Sequence, residues 1–236
     1  MESTTPKSSL EIYGDLLSQP MRSIIAFCKL NRIPYEYKPI NIAIGEHLTE
    51  EYEKINPYKK IPAIILKTKE KEFNLAESCA IIKFLSDYNK VDEKWYPRQD
   101  VFRRALIDQW LDWHHNNTRF AAMNYVFSKV FKPLFDSRGL KTSAYETYKF
   151  LLKVLNFLNN ILKERKFIVD DYISIADLII TSELNQLILT DFDFSKFSYV
   201  KEYMDRINSI KELEEVNENL LKFKTRINKK HSNAKF

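Results

Sequence analysis

Two short segments in the N-terminal third combine residue types that suit the binding of a small acidic peptide. Residues 56–63 read Asn-Pro-Tyr-Lys-Lys-Ile-Pro-Ala, so Pro62 follows a predicted helix and opens a predicted strand. X-Pro bonds are the peptide bonds that become cis at modest cost. A cis bond before Pro62 would turn the N–H and C=O of Ile61 outward, where they could pair with an extended peptide. Glu77 and Ser78 open an amphipathic helix, and free N–H groups at a helix start attract a carboxylate.

Ser18 supplies a hydroxyl group at the start of the first predicted helix, where Gln19 and Pro20 follow it. One interpretation is a plain helix cap. The other is a donor to a bound thiolate, since a charge-assisted hydrogen bond and the helix end could together lower a thiol pKa from about 8.5 toward about 7. The presence of Pro62, Glu77 and Ser78 in the same region favours the second interpretation.

The hydrophobic pattern of the first ninety residues predicts the elements that position these groups. β-Branched and alternating stretches predict strands, and apolar residues at three-to-four spacing predict helices. The predicted strands are 10–16, 35–39, 63–67 and 73–76, and the predicted helices begin at residue 18 and span 47–55 and 77–88. The order β-α-β-α-β-β-α over residues 9–90 is thioredoxin-like. Residues 18–21 read Ser-Gln-Pro-Met, so the Cys-x-x-Cys of redox members is absent and dithiol chemistry is excluded there.

The remainder of the chain is predicted to be all-helical, which makes the fold class α/β plus all-α. Residues 91–98 are polar and predict a linker. Residues 99–225 repeat apolar residues at helical spacing and predict a second domain. Ser174 and Asp177 have the spacing of a helix capping box. Residues 226–236 are predicted to be a basic tail.

Composition excludes several classes of function. The chain has 236 residues and only 3 glycines, which excludes glycine-rich nucleotide loops. Cys28 and Cys79 lie in apolar helical patterns; buried reduced thiols are favoured over a disulfide. The net charge is +5, but residues 222–236 hold six basic residues and no acid, so the rest carries −1. The basic end is interpreted as a solvated, frayed tail, with weak contact to RNA or anionic lipid as the alternative.

Targeting and metal signals are weak. The first nine residues have no apolar core and predict no signal peptide, and no apolar run predicts a membrane span. His114 and His115 are adjacent on a helix and point about 100° apart, so they are not expected to share a metal.

The ordered set of these segments resembles the glutathione transferases, most closely the theta class. The resemblance runs from about residue 10 to residue 221. It rests on residues 15–20 (Asp-Leu-Leu-Ser-Gln-Pro), 45–48 (Gly-Glu-His-Leu), 56–62, 77–78, 95–97 (Trp-Tyr-Pro) and 173–178 (Ile-Ser-Ile-Ala-Asp-Leu).

The resemblance implies a role for each candidate site residue. Ser18 matches the serine that hydrogen-bonds the glutathione thiolate. Gln19 and His47 match glutathione-contacting positions, with a surface role as the alternative for His47. Lys60 can face the glycyl carboxylate, although Lys59 and Lys60 are also compatible with solvated charge. Ile61, before Pro62, offers backbone bonds to the cysteinyl unit, and Glu77 and Ser78 hold the γ-glutamyl end. Asn116 matches a position that reaches glutathione across a dimer, and Arg119 lies near the electrophile pocket.

The resemblance also implies the activity. It predicts a cytoplasmic homodimer that conjugates glutathione thiolate to small hydrophobic electrophiles, with a possible peroxidase side activity and no cofactor or metal. Many theta members carry a further C-terminal helix over the site, so a more open electrophile pocket is expected here. The alternative is a non-catalytic glutathione-transferase-like scaffold, which need not keep Ser18, Lys60, Glu77 and Ser78. A nucleic-acid binder is a third hypothesis, which the near-neutral body disfavours, and no stable membrane association is expected.

Overall fold

The computed structural model describes residues 8–135 and 143–233, and the chain divides into two compact units, Met1–Val91 and Asp92–Phe236. Predictions that concern residues 1–7, 136–142 and 234–236, including the signal-peptide prediction and the last residues of the basic tail, lie outside the described residues. Among the described helices, none is long and apolar enough to cross a membrane.

A four-stranded mixed sheet forms the N-terminal unit. Its elements are β1 (Ser8–Gly14), α1 (Gln19–Leu30), β2 (Glu36–Pro39), two 3-10 segments (Ile42–Ile44 and Glu46–Leu48), α2 (Glu50–Glu53), β3 (Ala63–Thr68), β4 (Glu72–Ala76) and α3 (Ser78–Tyr88). The strand order is β2-β1-β3-β4; β1 pairs parallel with β2, and the other two pairs are antiparallel. The predicted order of elements is therefore confirmed.

Helices α1 and α3 bury their apolar faces together with the central strands. Ile24 and Phe27 of α1, Ile81 of α3 and Ile12 of β1 have no exposed surface. A Cβ atom on Gly14 would lie 2.8 Å from the sulfur of Met21, so a larger residue at this position would force the buried Met21 side chain of α1 to shift.

Two predicted element bounds in this unit are wrong, each because a polar side chain starts a new turn. The first strand ends at Gly14 and not at residue 16, since the Asp15 carboxylate accepts from the backbone N–H of Leu17 at 2.8 Å. The predicted helix over 47–55 is two pieces. Thr49 separates them, and its hydroxyl accepts from the N–H of Tyr52 at 3.2 Å, so α2 begins only at Glu50.

All the regular secondary structure described in the second unit is helical. It contains α4 (Val101–His114), a π-helix (His115–Arg119), α5 (Phe120–Val126), a π-helix (Phe127–Phe131), α6 (Lys132–Phe135), α7 (Ala144–Leu162), α8 (Ile175–Asn185), a 3-10 helix (Gln186–Thr190), α9 (Ser198–Asn208) and α10 (Lys211–Asn233). The apolar residues that repeat along α7 and α8, among them Leu151, Leu155 and Leu178, have no exposed surface.

Asp177 ties the start of α8 to neighbouring segments. Its buried carboxylate accepts from the N–H of Ser174 at 2.8 Å, from the Ser174 hydroxyl at 2.9 Å and from the N–H of Ile168 at 2.8 Å. The Tyr203 hydroxyl of α9 donates to it at 3.0 Å. Burial raises the pKa of Asp177 to about 6. Ser174 and Asp177 therefore cap α8, and Asp177 also fixes α8 to Ile168 and to Tyr203 of α9.

The segment predicted as a linker packs within the helical unit. Trp95 and Tyr96 are buried, the carbonyl of Trp95 accepts from the N–H of Ile175 at 3.0 Å, and the Tyr96 hydroxyl donates to Asp108 at 3.0 Å. These aromatic residues belong to the core of the helical unit.

The expectation of a frayed basic tail is wrong for the described part of that segment. Helix α10 runs to Asn233, Ile227 is buried, and the Phe223 ring stacks on Phe131 with centroids 5.9 Å apart. Apolar residues recur at alternating spacings of three and four along α10, at Leu213, Val216, Leu220, Phe223 and Ile227. This spacing gives the helix one apolar side despite its basic composition.

Candidate active site

The register of the sheet brings the predicted site segments of the N-terminal unit to one end of it. Tyr13 is opposite Ala63, and Ala63 is opposite Ala76, so the end of β1, the start of β3 and the end of β4 are neighbours. Pro39, at the end of β2, pairs with Gly14 at the same end. Adjacent strands lie about 4.8 Å apart. The segments that contain Ser18, Pro62 and Glu77 therefore leave or enter the sheet within a short distance of each other.

Ser18 is the residue before α1, and its hydroxyl does not cap that helix. Its N–H donates to the carbonyl of Asp15 at 2.9 Å, which closes a turn after β1, and its backbone is extended (φ −74°, ψ 126°). No bond joins its side chain to the N–H groups of the first turn of α1. Ser18 is half-buried, and its hydroxyl is not used to cap the helix, which is compatible with the thiolate interpretation.

Arg22 supports the turn that carries Ser18, and sequence reasoning did not identify this role. Its side chain has no exposed surface, and it donates to the carbonyls of Leu16 and Leu17 at 3.2 and 3.0 Å. A buried arginine needs such acceptors, because burial of an unpaired charge is costly. The available signal was a charged residue within the apolar run that follows Pro20.

The segment before β3 is held by two side chains that converge on one carbonyl. The hydroxyl of Tyr52 and the amide of Asn56 donate to the carbonyl of Lys60 at 2.8 and 2.6 Å. Burial raises the pKa of Tyr52 to about 12, which keeps its phenol protonated as a donor. The Ile61–Pro62 bond is cis, as predicted, and Ile61 precedes the paired strand, which begins at Ala63.

The two adjacent lysines differ in their partners. Lys59 forms an ion pair with Glu53 at 3.0 Å. Lys60 is exposed and forms no ion pair with the residues that the structure describes. Lys60 is therefore the lysine whose charge is available to an anionic ligand.

Glu77 and Ser78 begin α3 with an unusual backbone conformation. Glu77 has φ +66° and ψ 111°, a region that residues other than glycine rarely adopt. Its carbonyl accepts the first intrahelical bond, from the N–H of Ile81 at 2.9 Å, and its side chain does not cap the helix. Ser78 is 8% exposed. Backbone strain of the kind seen at Glu77 is often found at ligand-binding positions. The N–H groups of the first turn of α3, which follows Glu77, have no partners within the helix.

Gln19 and His47 lie in the segments that follow β1 and β2, and these two strands end at the same edge of the sheet. Gln19 is the first residue of α1, and His47 lies in the 3-10 segment Glu46–Leu48 that follows β2. His47 is half-buried, and its Nδ1 is buried without a hydrogen-bond partner among the described residues. The side chain of His47 is therefore not fully exposed, as the surface interpretation would require.

Asn116 and Arg119 lie in the π-helix of the helical unit. Asn116 is exposed, whereas Nη1 of Arg119 pairs with the buried carboxylate of Glu183 at 2.6 Å. Sequence reasoning did not identify Glu183, which lies inside the apolar run of α8. Arg119 therefore has an ion-pair partner within its own unit. The position of Arg119 near the electrophile stays a prediction.

His114, one turn before Arg119, is buried and neutral. Its Nδ1 lies 3.0 Å from the Thr118 hydroxyl, and its Nε2 lies 3.9 Å from Glu183. Burial, and then the charges of His115 and Arg119, lower the pKa of His114 to about 3. Within residues 8–135 and 143–233, no group of three or more histidine, cysteine, aspartate or glutamate side chains is placed to hold a metal ion.

Fold and site together define a two-domain protein: a thioredoxin-like domain with a serine in place of the redox cysteines, followed by a helical domain. Comparison with known proteins agrees. Residues 22–87 match the family described as "Glutathione S-transferase, N-terminal domain", and residues 121–211 match "Glutathione S-transferase, C-terminal domain". The chain belongs to the glutathione transferase family.

Individual relatives are of the theta class. Glutathione S-transferase theta-1 of Rattus norvegicus is 36% identical over 177 residues, which cover 74% of this chain and 72% of the relative. The solved structure of human glutathione-S-transferase T1-1 in its apo form matches with a TM-score of 0.82 at 32% identity, over 92% of this chain and 91% of that one. Human glutathione transferase theta-2, in complex with glutathione and an unknown ligand, matches with a TM-score of 0.84 at 27% identity, over 94% and 91%.

Proposed function

We propose that this chain is a glutathione transferase that joins the sulfur of glutathione to small hydrophobic electrophiles. The observation that carries the proposal is the Ser18 hydroxyl, which stands at the start of α1 and does not cap it. The similarity to theta-class glutathione transferases, one of them solved with glutathione, supports the same activity.

In this proposal the N-terminal domain, residues 9–90, binds glutathione. Ile61 pairs with the cysteinyl backbone, and Lys60 faces the glycyl carboxylate. Glu77 binds the γ-glutamyl amine, while the hydroxyl and N–H of Ser78 bind the γ-glutamyl carboxylate. Gln19 and His47 contact the rest of the tripeptide, and the helical domain, residues 99–225, supplies the electrophile pocket.

The chemical step is a nucleophilic displacement or addition. The thiol of bound glutathione gives its proton to solvent, and Ser18 donates a hydrogen bond to the resulting thiolate. The sulfur then forms a bond to the electrophilic carbon, while the leaving group departs with its electron pair. With a peroxide, the sulfur attacks oxygen, the O–O bond breaks, and the alkoxide or hydroxide that leaves takes up a proton to become an alcohol or water. The thiol of a second glutathione then displaces the hydroxyl from sulfur, which gives glutathione disulfide and water. No cofactor is required, and we propose that the protein acts as a homodimer in the cytoplasm.

Replacement of Ser18 by alanine tests the proposal. Because a hydrogen bond to a charged group contributes about 1.5–3 kcal/mol, kcat and kcat/KM should fall together by roughly 10- to 150-fold. Glutathione affinity should stay within about threefold, since many groups share the binding. Ultraviolet absorbance of the bound thiolate should show a raised thiol pKa.

Ser143→Ala is a matched control, because Ser143 also precedes a helix but does cap it, accepting from the N–H of Glu146 at 3.1 Å. This variant should lose about 1 kcal/mol of stability and keep its turnover. Full activity and an unchanged thiolate absorbance in Ser18→Ala would contradict the role of Ser18. Failure of the wild-type protein to bind glutathione resin, with no turnover across an electrophile panel, would favour the non-catalytic scaffold.

A further inference from the structure

The position of the Ser18 side chain is set by the backbone that precedes it, because its hydroxyl forms no bond with the first turn of α1. Two peptide units lead into Ser18: one joins Leu16 to Leu17, and the other joins Leu17 to Ser18. A peptide unit is planar, and the backbone rotates only at the Cα atoms on either side of it. Groups that fix these two planes therefore fix the Cβ atom of Ser18, from which the hydroxyl extends.

Each of the two peptide units is hydrogen-bonded at both of its polar ends. In the first unit, the carbonyl of Leu16 accepts from Nη1 of Arg22 at 3.2 Å, and the N–H of Leu17 donates to the Asp15 carboxylate at 2.8 Å. In the second unit, the carbonyl of Leu17 accepts from the same Nη1 at 3.0 Å, and the N–H of Ser18 donates to the carbonyl of Asp15 at 2.9 Å. Arg22 and Asp15 thus form a clamp on both planes, here called the Arg22–Asp15 clamp.

The turn that carries this clamp is attached to regular structure at both of its ends. At its start, the carbonyl of Gly14 accepts from the Tyr37 hydroxyl at 3.0 Å and from the N–H of Ile40 at 2.9 Å. At its end, the carbonyl of Ser18 accepts from the N–H of Arg22 at 3.1 Å. Arg22 therefore holds the turn with its backbone as well as with its side chain.

Burial keeps the guanidinium of Arg22 on these carbonyls. Its side chain has no exposed surface, and neither do the neighbouring residues Met21 and Ser23. Water cannot easily replace the carbonyls as acceptors, so withdrawal of the guanidinium would leave a buried charge short of hydrogen bonds, which is costly. The Arg22–Asp15 clamp is therefore a rigid support, unlike an exposed arginine that exchanges its partners with solvent.

The proposed role of Ser18 demands an accurate position of its hydroxyl. Hydrogen bonds weaken steeply as their angle departs from linearity. Misplacement of a group at a reacting centre by about 1 Å can lower the rate about 100-fold. A change that loosens the turn slightly should thus affect the reaction more than it affects the fold.

We propose that Arg22 and Asp15 are positioning residues of the transfer reaction, which orient the Ser18 hydroxyl toward the thiolate of bound glutathione. This inference rests on the proposed function, and neither residue is assigned a contact with glutathione. The clamp acts through Ser18 alone. Its effect on the thiol should therefore disappear when the Ser18 hydroxyl is absent.

Arg22→Met tests the proposal, because it removes the donors and keeps an unbranched side chain in the core. The pKa of the bound thiol, followed by ultraviolet absorbance of the thiolate against pH, should rise as it does in Ser18→Ala. At neutral pH, kcat/KM should fall at least about tenfold, while glutathione affinity stays within about threefold.

Ser23→Ala is the matched control in the same helix. Ser23 is fully buried, but its hydroxyl donates to the carbonyl of Pro20 at 2.8 Å and not to the turn before Ser18. This variant should lower the thermal midpoint and leave the thiol pKa unchanged. A role in stability alone would make Arg22→Met behave in the same way as Ser23→Ala.

The double variant Ser18→Ala/Arg22→Met separates positioning from stability. With the Ser18 hydroxyl already absent, replacement of Arg22 should change kcat/KM and the ionisation constant of the thiol by less than about twofold. The fall in thermal midpoint caused by Arg22→Met should be the same with and without the hydroxyl. Coupling in activity without coupling in stability is the result that the Arg22–Asp15 clamp predicts.

Asp15 tests the clamp without a change in the core, since Asp15 is only half-buried. Asp15→Ala removes the acceptor of the Leu17 N–H, so it should raise the thiol pKa and lower kcat/KM about three- to tenfold. Asp15→Asn keeps an oxygen that can accept the same bond, and it should recover most of that loss. If Arg22→Met does not fold, Asp15→Ala takes its place in the double variant.

The contrary outcomes distinguish this inference from the proposed function. If Ser18→Ala leaves the thiol pKa unchanged, the role of Ser18 is wrong and the positioning role is overturned with it. If Ser18→Ala raises the thiol pKa but Arg22→Met and Asp15→Ala do not, the proposed function stands and the positioning role is overturned. Equal losses of activity from Arg22→Met with and without the Ser18 hydroxyl would also overturn it.

Discussion

At the scale of single residues, the serines next to α1 and α3 are proposed to do different work on the same ligand. In this proposal Ser18 faces the reacting sulfur, so its interaction changes as charge leaves that sulfur. Ser78 would face a carboxylate that does not react, so it should stabilise the ground state and the transition state equally. Mutations at the two positions should therefore separate in kinetics.

Replacement of Ser78 by alanine should raise KM for glutathione about tenfold and leave kcat nearly unchanged. The hydroxyl bond to a charged group is lost, but the backbone N–H remains, so the effect lies at the lower end of the usual range. Ser86→Ala is the control in the same helix, since its buried hydroxyl donates to the carbonyl of Ile82 at 2.7 Å. It should change the thermal midpoint but not KM. An unchanged KM in Ser78→Ala would remove Ser78 from the site.

His114 should make the protein less stable as the solution is acidified. Its pKa is about 3 in the folded protein and about 6.5 in an unfolded chain. Between pH 7 and pH 5 the unfolded chain gains a proton that the folded protein does not, so this group lowers the free energy of unfolding by about 2 kcal/mol.

His114→Gln should remove that part of the pH dependence, as measured by denaturant unfolding at both pH values and one protein concentration. His115→Gln, at the exposed neighbouring position, should keep the wild-type difference. The same pH dependence in all three proteins would show that His114 is protonated in the folded state.

At the scale of elements, α10 shows how composition can mislead. Residues 222–236 hold six basic residues and no acid, so the C-terminal part of this helix is predicted to be a frayed tail. Yet Leu220, Phe223 and Ile227 follow helical spacing, and the structure buries Leu220 and Ile227. Periodicity was the informative signal, and net charge described only the exposed side of the helix.

Ile227→Asp should therefore lower the free energy of unfolding by about 3 kcal/mol or more, because it places a carboxylate at a buried position. Arg226→Asp adds an acid at the adjacent exposed position and should change stability by only about 0.5 kcal/mol. Thermal or denaturant unfolding of the two variants makes the comparison. Equal stabilities would mean that the end of α10 does not pack.

The elements around the site were predictable where local preference and tertiary structure agree. Residues 63–67 read Ala-Ile-Ile-Leu-Lys, a mostly apolar run with two β-branched residues that a polar turn follows, and they form most of β3. The backbone of Glu77 was not predictable, because glutamate has no preference for positive φ. Arg22 and Glu183 were missed for a related reason: their burial depends on carbonyls or a partner that lie in other segments.

At the scale of the whole molecule, α4 leaves large apolar side chains in contact with solvent. Phe102 is 83% exposed, and Leu106, one turn later on the same side of the helix, is 48% exposed. Neighbouring exposed apolar side chains of this kind occur at protein–protein contact surfaces. The proposed homodimer would cover this surface with a second copy of the chain.

Sedimentation of the wild-type protein should accordingly give twice the chain mass of 28.1 kDa. Phe102→Asp should shift the mass toward the monomer, since a charge at the centre of an apolar contact is unfavourable. Tyr172→Asp is the control at another exposed aromatic position, 67% exposed. A wild-type monomer, or a dimer that resists Phe102→Asp, would contradict this use of α4.

The burial of Cys28 affects how readily this cysteine reacts with glutathione disulfide. Mixed disulfides form when a protein thiolate attacks glutathione disulfide. Cys28 has no exposed surface, and burial raises its pKa to about 12, so at neutral pH it offers neither access nor thiolate. Cys28 should therefore stay reduced at concentrations of glutathione disulfide that would modify a reactive cysteine.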